Sequence, residues 1–461
     1  VRRLPVRITQ NPSDHFTELD DILAPGPDLV VSFDLWKDEG ILARMHGPRL
    51  PALRSEHKAL LAVQPSEVRA EAARLCHLWN TRLVHHTPLD PDQNPAPGRN
   101  PAPYTSLLDL REEPTDELRR ILGELADTGC DLLFDILLGG EDKATVHFRD
   151  FLAEALAGEG LRVRFDSDLF LPWPMLCLPA DLAGAPLPQD LAGAALPQDG
   201  GPPGSEPDEL TPLFARFLGY RHQIDQTGGT YPLRHRRRTP PVRPAVSLNH
   251  DTRLDRRGET RAAEVARVLA EGNDFVERTL REELFEALGK ADLDEQFMYF
   301  WCHGKYADRQ PQPPCLALEL SDREAIDART FHSRRRAFGE AVSPFRPFVL
   351  LNACHAAGPY GGADRGHLGR VLIEAGASGV LGPQIEMPKI FGAEYALAFI
   401  TRYLGGTRTA GETAHHLARH FADTYRNPLG LAYALHCGMD SRLERVAATP
   451  PGHEHDREVT V

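Results

Sequence analysis

The chain has 461 residues, 41% of them hydrophobic and 26% charged, and a formal net charge of −14. That length allows two or three domains with ample core, and the acidic balance argues against nucleic acid as the main partner, because phosphate binding needs a basic face. No apolar run approaches the roughly 20 residues of a membrane span. The opening VRRLPVRITQNPSD lacks the apolar stretch of a signal peptide, and the seven cysteines are scattered without CxxC spacing; both features read as reduced thiols in the cytoplasm.

In chain order, residues 1–60 read as β-rich, with VRIT (6–9), PDLVVSFDLW (27–36) and ILARMHG (41–47) as strands and KDEG as a hairpin turn. Leu60 and Leu61, then Val68, Ala72 and Leu75 at steps of seven, four and three from Leu61, predict a helix over roughly 54–84. The Pro- and Asn-crowded PLDPDQNPAPGRNPAP (88–103) is a linker or long loop. Helices are expected at 115–138 and 147–158, and LRVRFD (161–166) is a strand. A tandem nonapeptide follows, DLAGAPLPQ (181–189) and DLAGAALPQ (190–198), and with the Pro/Gly-rich and basic chain after it predicts a flexible insertion over about 181–243. Residues 1–130 are thus read as a small N-terminal α+β region, and 131–461 as the main domain.

From 244 the pattern becomes strand–helix alternation. PAVSLN (244–249), NDFVER (273–278), QFMYFWC (296–302), PFVLLNAC (347–354), SGVLGP (378–383) and LAYALHCG (431–438) are strands. Between them lie helices at 258–272, 279–291, 367–376, 389–406 and 410–426, and CLALEL (315–320) is a short hairpin arm. Strands apolar on every residue are buried on both faces. The fold class expected is α/β, a mostly parallel sheet with helices on both faces.

Two of these strands end in the same dipeptide, Cys302-His303 and Cys354-His355, with Gly304 next and Gly358 close by. In open parallel sheets ligands bind beyond the carboxyl ends of the strands. A thiolate is a nucleophile, and a nearby imidazole raises its population and later protonates a leaving amine. His303 and Cys354 therefore read as a catalytic pair. Gly304 lets its backbone N–H approach an oxyanion, with the Cys354 N–H as second donor. Strand alternation sends Cys302 away from His303 and into the core, and makes His355 a flank of the nucleophile loop. A zinc site from Cys302, His303, Cys354 and His355 is disfavoured, because adjacent strand residues point opposite ways and zinc ligands usually come from knuckle-like spacings. No metal or other cofactor is expected. The pairs His85-His86 and His415-His416 read as surface, and His436-Cys437 as a strand-end core pair.

These motifs resemble those of CHAT domain proteins, a caspase-like family in the clan of caspases, metacaspases and separase. FLPWPMLCLP (170–179) is similar to the family's early Pro-Trp segment, FWCHG to its His-Gly motif, VLLNACHAAG to its Cys motif and EAGASGVLGPQIEMP to the strand and loop that follow. NPLGLAYALHCG resembles an ending found in one branch. The resemblance runs from about residue 130 to 441. Caspases place the catalytic His about 50 residues upstream of the Cys. The resemblance implies a caspase-like fold and cysteine endopeptidase activity with His303 and Cys354 as the dyad. It also implies a protein substrate, gating by a protein partner or trigger with residues 1–130 as the regulatory or partner-binding region, and a place in prokaryotic antiviral defence or programmed cell death. The family's usual repeats are absent, since residues 1–130 show no period of about 34 residues. Relatives that cut after Lys or Arg carry Asp two residues before the Cys. Asn352 stands there, which implies a preference for uncharged P1 residues, with Glu386 and Asp364 at the same sheet edge as possible sources of charge. The alternative from another class is a catalytically silent scaffold that works by binding.

Overall fold

The computed structural model describes residues 26–36, 40–48, 50, 57–86, 108–158, 160–183, 208–228, 241–256, 258, 260–309, 312–335, 338, 345–353 and 368–445. Within them the strands are β1 (Leu29–Leu35), β2 (Ile41–His46), β3 (His57–Leu61), β4 (Arg162–Ser167), β5 (Gln223–Thr227), β6 (Ala245–His250) and β7 (Asp274–Arg278). They continue as β8 (Phe297–Trp301), β9 (His303–Arg309), β10 (Gln312–Glu319), β11 (Ala325–Asp327), β12 (Phe348–Asn352), β13 (Gly379–Pro383) and β14 (Tyr433–His436). Eleven form one sheet in the order β3-β2-β1-β4-β5-β14-β13-β12-β8-β6-β7, and β11-β10-β9 form a second, small sheet. In the large sheet β1–β2, β2–β3 and β13–β14 are antiparallel and every other pairing is parallel.

The side-chain period of two sorts the central strands between two cores. Phe297, Tyr299, Trp301, Phe348 and Leu350 pack on one face, with helices Lys389–Leu404 and Ala410–Tyr425. Met298, Phe300, Cys302, Val349, Leu351 and Ala353 pack on the other, with helices Arg281–Leu288, Ala328–Arg335 and Leu368–Ala375. FMYFW and FVLLN are buried at every position because both faces are covered. Each buried Phe, Met, Leu or Val among them contributes roughly 1.5–3 kcal/mol relative to leaving it exposed. The observed architecture is the α/β class expected.

Two sequence expectations are corrected. Residues 57–61 form the strand β3, not the start of a helix, and alternate buried and exposed; the helix begins at Pro65. Within the stretch read as a flexible insertion, residues 208–228 are ordered core, and β5 lies between β4 and β14. QIDQT carries no apolar signal beyond Ile224, yet Asp225, Gln226 and Thr227 are buried. Two of the three are partnered from β4: Arg164 donates twice to Asp225, at 2.9 and 2.8 Å, and Thr227 donates to Asp166 at 2.9 Å. Residues 184–207 and 229–240 lie outside the described residues. The sheet also runs uninterrupted past residue 130, since β4 pairs with β1, and Val68, Leu75 and Leu118 share one apolar cluster with Phe348 and Leu381. Among the described residues no helix is long and apolar enough to cross a membrane.

Candidate active site

β6, β8 and β12 are parallel neighbours, so their carboxyl ends open on one edge of the sheet. β12 pairs with β8 from Phe348↔Phe297 to Asn352↔Trp301, at a constant offset of 51 in sequence number. His303 and Cys354 each stand two residues beyond the last of these pairs, so the same offset separates them. Cys354 itself lies outside the described residues, as do His355 and Asp364.

His303 opens β9, where the chain leaves the large sheet, and its side chain is 55% exposed. Gly304 follows in β9, opposite Leu318 of β10. Cys302 behaves as expected: it is 4% exposed and belongs to the core on the far face from Trp301. Its N–H reaches the Asn352 carbonyl at 3.5 Å, the last tie between β8 and β12.

Sequence reasoning missed Asp251, the first residue past β6. Its N–H donates to the Trp301 carbonyl at 2.9 Å, so it is stitched to the end of the strand that delivers His303. Its carboxylate is wholly buried, and Oδ2 lies 3.7 Å from His303 Nε2. Arg253 donates to that carboxylate through Nε at 2.8 Å, Nη2 at 2.7 Å and its own backbone N–H at 2.9 Å. Burial works to raise the Asp251 carboxyl, but the Arg253 hydrogen bonds and charge outweigh it and hold the group below the usual carboxylate value. HDTRLD has the look of a polar turn. The one available signal was its position, an Asp directly after a strand parallel to the His303 strand.

Asn352 is 5% exposed, and its amide sits in a buried network. Nδ2 donates to the Gly392 carbonyl at 2.7 Å and to the Tyr299 hydroxyl at 3.3 Å, while the Tyr433 hydroxyl donates to Oδ1 at 2.9 Å. Gly392 packs tightly there: a Cβ would stand 3.0 Å from Oδ1, so the Asn352 amide would have to give way. Burial drives the Tyr299 phenol far above its ordinary value, so it remains neutral. Glu386 lies on the loop after β13, at the same edge of the sheet. Its carboxylate meets His85 Nε2 at 2.7 Å, and its N–H donates to Asn80 Oδ1 at 3.0 Å. Asn80–Val84 is a π-helical turn that continues helix Pro65–Trp79, so this end of the N-terminal helix rests on the Glu386 loop. Among the described residues the structure therefore brings His303, Gly304 and Asp251 together and leaves Glu386 in a separate contact.

Of the histidine pairs read as surface, His86, His415 and His416 are only partly exposed; His415 bonds the Tyr220 carbonyl at 2.9 Å. His436 and Cys437 are both 3% exposed, in the core as expected.

No family model matches the chain, and no curated protein matches it. Among solved structures it is similar to two of the Saccharomyces cerevisiae separase–securin complex. One matches at 10% identity and a TM-score of 0.45, covering 91% of this chain and 30% of that one. The other matches at 10% identity and a TM-score of 0.42, covering 89% and 30%. The chain thus spans under a third of the length of these neighbours.

Proposed function

We propose that the chain is a caspase-like cysteine endopeptidase in which His303 and Cys354 act as a dyad. The observation that supports this reading is the register. A constant offset of 51 across the β8–β12 ladder equals the separation of the two residues, and both sit past the carboxyl ends of adjacent parallel strands. In the reaction His303 takes the Cys354 thiol proton and the thiolate adds to the scissile carbonyl. The oxyanion that forms accepts hydrogen bonds from the backbone N–H groups of Gly304 and Cys354. The C–N bond then breaks as His303 returns the proton to the leaving amine. Water, deprotonated by His303, attacks the thioester, and the carboxylic acid leaves with the thiolate restored.

The finer reading follows the sequence resemblance: a CHAT-type protease acting on a protein in prokaryotic defence or programmed death, gated by a partner through the N-terminal region. The contact of Asn80 and His85 with the Glu386 loop supports such a route from that region to the site. Substrate binding is assigned to Asn352, Glu386 and Asp364. Neutral Asn352 supports an uncharged P1 residue, since a charged one would be desolvated without a countercharge.

The test is labelling by a peptide electrophile, together with a positional-scanning peptide library, with and without cell extract. Cys354→Ala and His303→Ala are expected to abolish labelling and cleavage while keeping the fold. Cys302→Ala is expected to keep activity and to lose only about 1 kcal/mol of stability. Labelling at Cys302 in place of Cys354 contradicts the dyad, and dominant cleavage after Arg or Lys contradicts the P1 assignment. A protein that folds, binds partners and never labels is the silent scaffold.

A further inference from the structure

The geometry points to Asp251 as a positioning residue for His303, held in place by Arg253; this rests on the dyad reading above and adds a third side chain to it. A buried carboxylate is costly unless it is paired and hydrogen-bonded. The Asp251 side chain is 0% exposed, and three of its hydrogen bonds come from the single residue Arg253. Arg253 is fixed in turn, since Nη2 also donates to the Leu320 carbonyl at 3.3 Å. Leu320 follows Glu319, the register partner of His303. A second tie runs beside it: the Thr252 N–H donates to Ser321 Oγ at 3.0 Å. The turn after β6 and the turn after β10 are thereby locked together around His303.

The arrangement has a chemical direction. Asp251 faces Nε2 of the imidazole. A carboxylate on that side favours the tautomer with its proton on Nε2 and leaves the Nδ1 lone pair for the thiol. It also stabilises the imidazolium that forms when the proton is taken, the role of the third member in a nucleophile–base–orienter set. The separation of 3.7 Å exceeds a hydrogen bond, and such contacts commonly tighten when substrate binds. Of the charged groups on β9 and β10, Lys305 and Glu319 pair with each other at 3.7 Å. Among the described residues Asp251 is the carboxylate that meets the ring.

Two measurements test this. The first is imidazole ¹⁵N NMR of the full chain labelled in histidine, with His303 assigned by its loss in His303→Gln. The expected spectrum has the His303 proton on Nε2, and Asp251→Asn is expected to shift the ring toward a tautomer mixture. A proton resident on Nδ1 in the unmodified protein overturns the proposal without requiring any variant to fold. The second is the rate of Cys354 alkylation by iodoacetamide, read from the mass of its peptide. Asp251→Asn should slow it by about tenfold to a hundredfold, below the 10²–10⁴ of a complete base. In a His303→Ala background the same change should have no further effect, because Asp251 acts through the ring. Equal slowing in both backgrounds overturns the positioning role. Failure of Cys354 to react in any variant counts against the protease reading, and the nitrogen shifts still decide for or against Asp251.

Discussion

His222 is 1% exposed, and its Nε2 faces the Leu156 carbonyl at 3.0 Å, so Nε2 carries the proton and the ring is neutral. Burial lowers His222 to about 3, and lowers His415 and His416 to about 4. In the unfolded chain each binds a proton near pH 6.5. The native state therefore holds fewer protons below that pH, and stability that is fully present above 6.5 is lost as pH falls toward 4 and 3. The urea midpoint is expected to hold steady between pH 7 and 8 and to fall from about 6.5 downward, with His222 alone contributing on the order of 1 kcal/mol per pH unit. A flat midpoint down to pH 5 would contradict this, and His222→Gln should remove part of the slope. What was legible at this scale was chemical type in an apolar setting: Cys302 as core and His303 as strand-end followed from period two alone. His415 was not, because its partner carbonyl lies almost 200 residues away. Asp251 was hidden for a related reason, since its meaning depends on two neighbours that the chain reaches only after 50 residues.

At the scale of elements, legibility followed the source of burial. β8, β12 and β13 were readable because strands covered on both faces must be apolar throughout. β9 (HGKYADR) was not, because a small outlying sheet places no such demand on its sequence. β5 was read as part of a flexible tract for want of apolar residues, while Arg164 and Asp166 on β4 supplied partners for Asp225 and Thr227. The two halves of that tract should respond differently to deletion. Replacing 184–207 by a short Gly/Ser linker is expected to shift the melting temperature by no more than a few degrees, since Pro/Gly-rich polar chain offers little apolar surface to bury. Removing 208–228 takes out a strand from the middle of the sheet and should abolish cooperative unfolding. Calorimetry of the two deletions decides, and a collapse in the first would show that 184–207 is structural.

For the whole molecule, the large sheet is continuous from β3 to β7, and one apolar cluster extends from Leu29 to Leu443. The N-terminal strands, read from sequence as part of a separate unit, are bonded into the sheet that carries the candidate site, and Asn80 touches the loop after β13. Composition could not reveal this, because sheet order is set by pairings between distant segments. A perturbation of the N-terminal strands would thus act on a sheet shared with the candidate site.

The constant β8–β12 offset has a consequence for how the protein can be made. β12 is held by ladders to β8 and β13 and by side chains in both cores, so its alignment owes nothing to the length or integrity of the chain between 335 and 345. Two polypeptides, 1–340 and 341–461, expressed together should find each other and co-purify as a complementing pair, with one strand of the proposed dyad on each. Recovery of either fragment alone, with no complex between them, would show that the connection is needed for assembly. A working pair would turn the protein into a two-component reagent, inert until its halves meet.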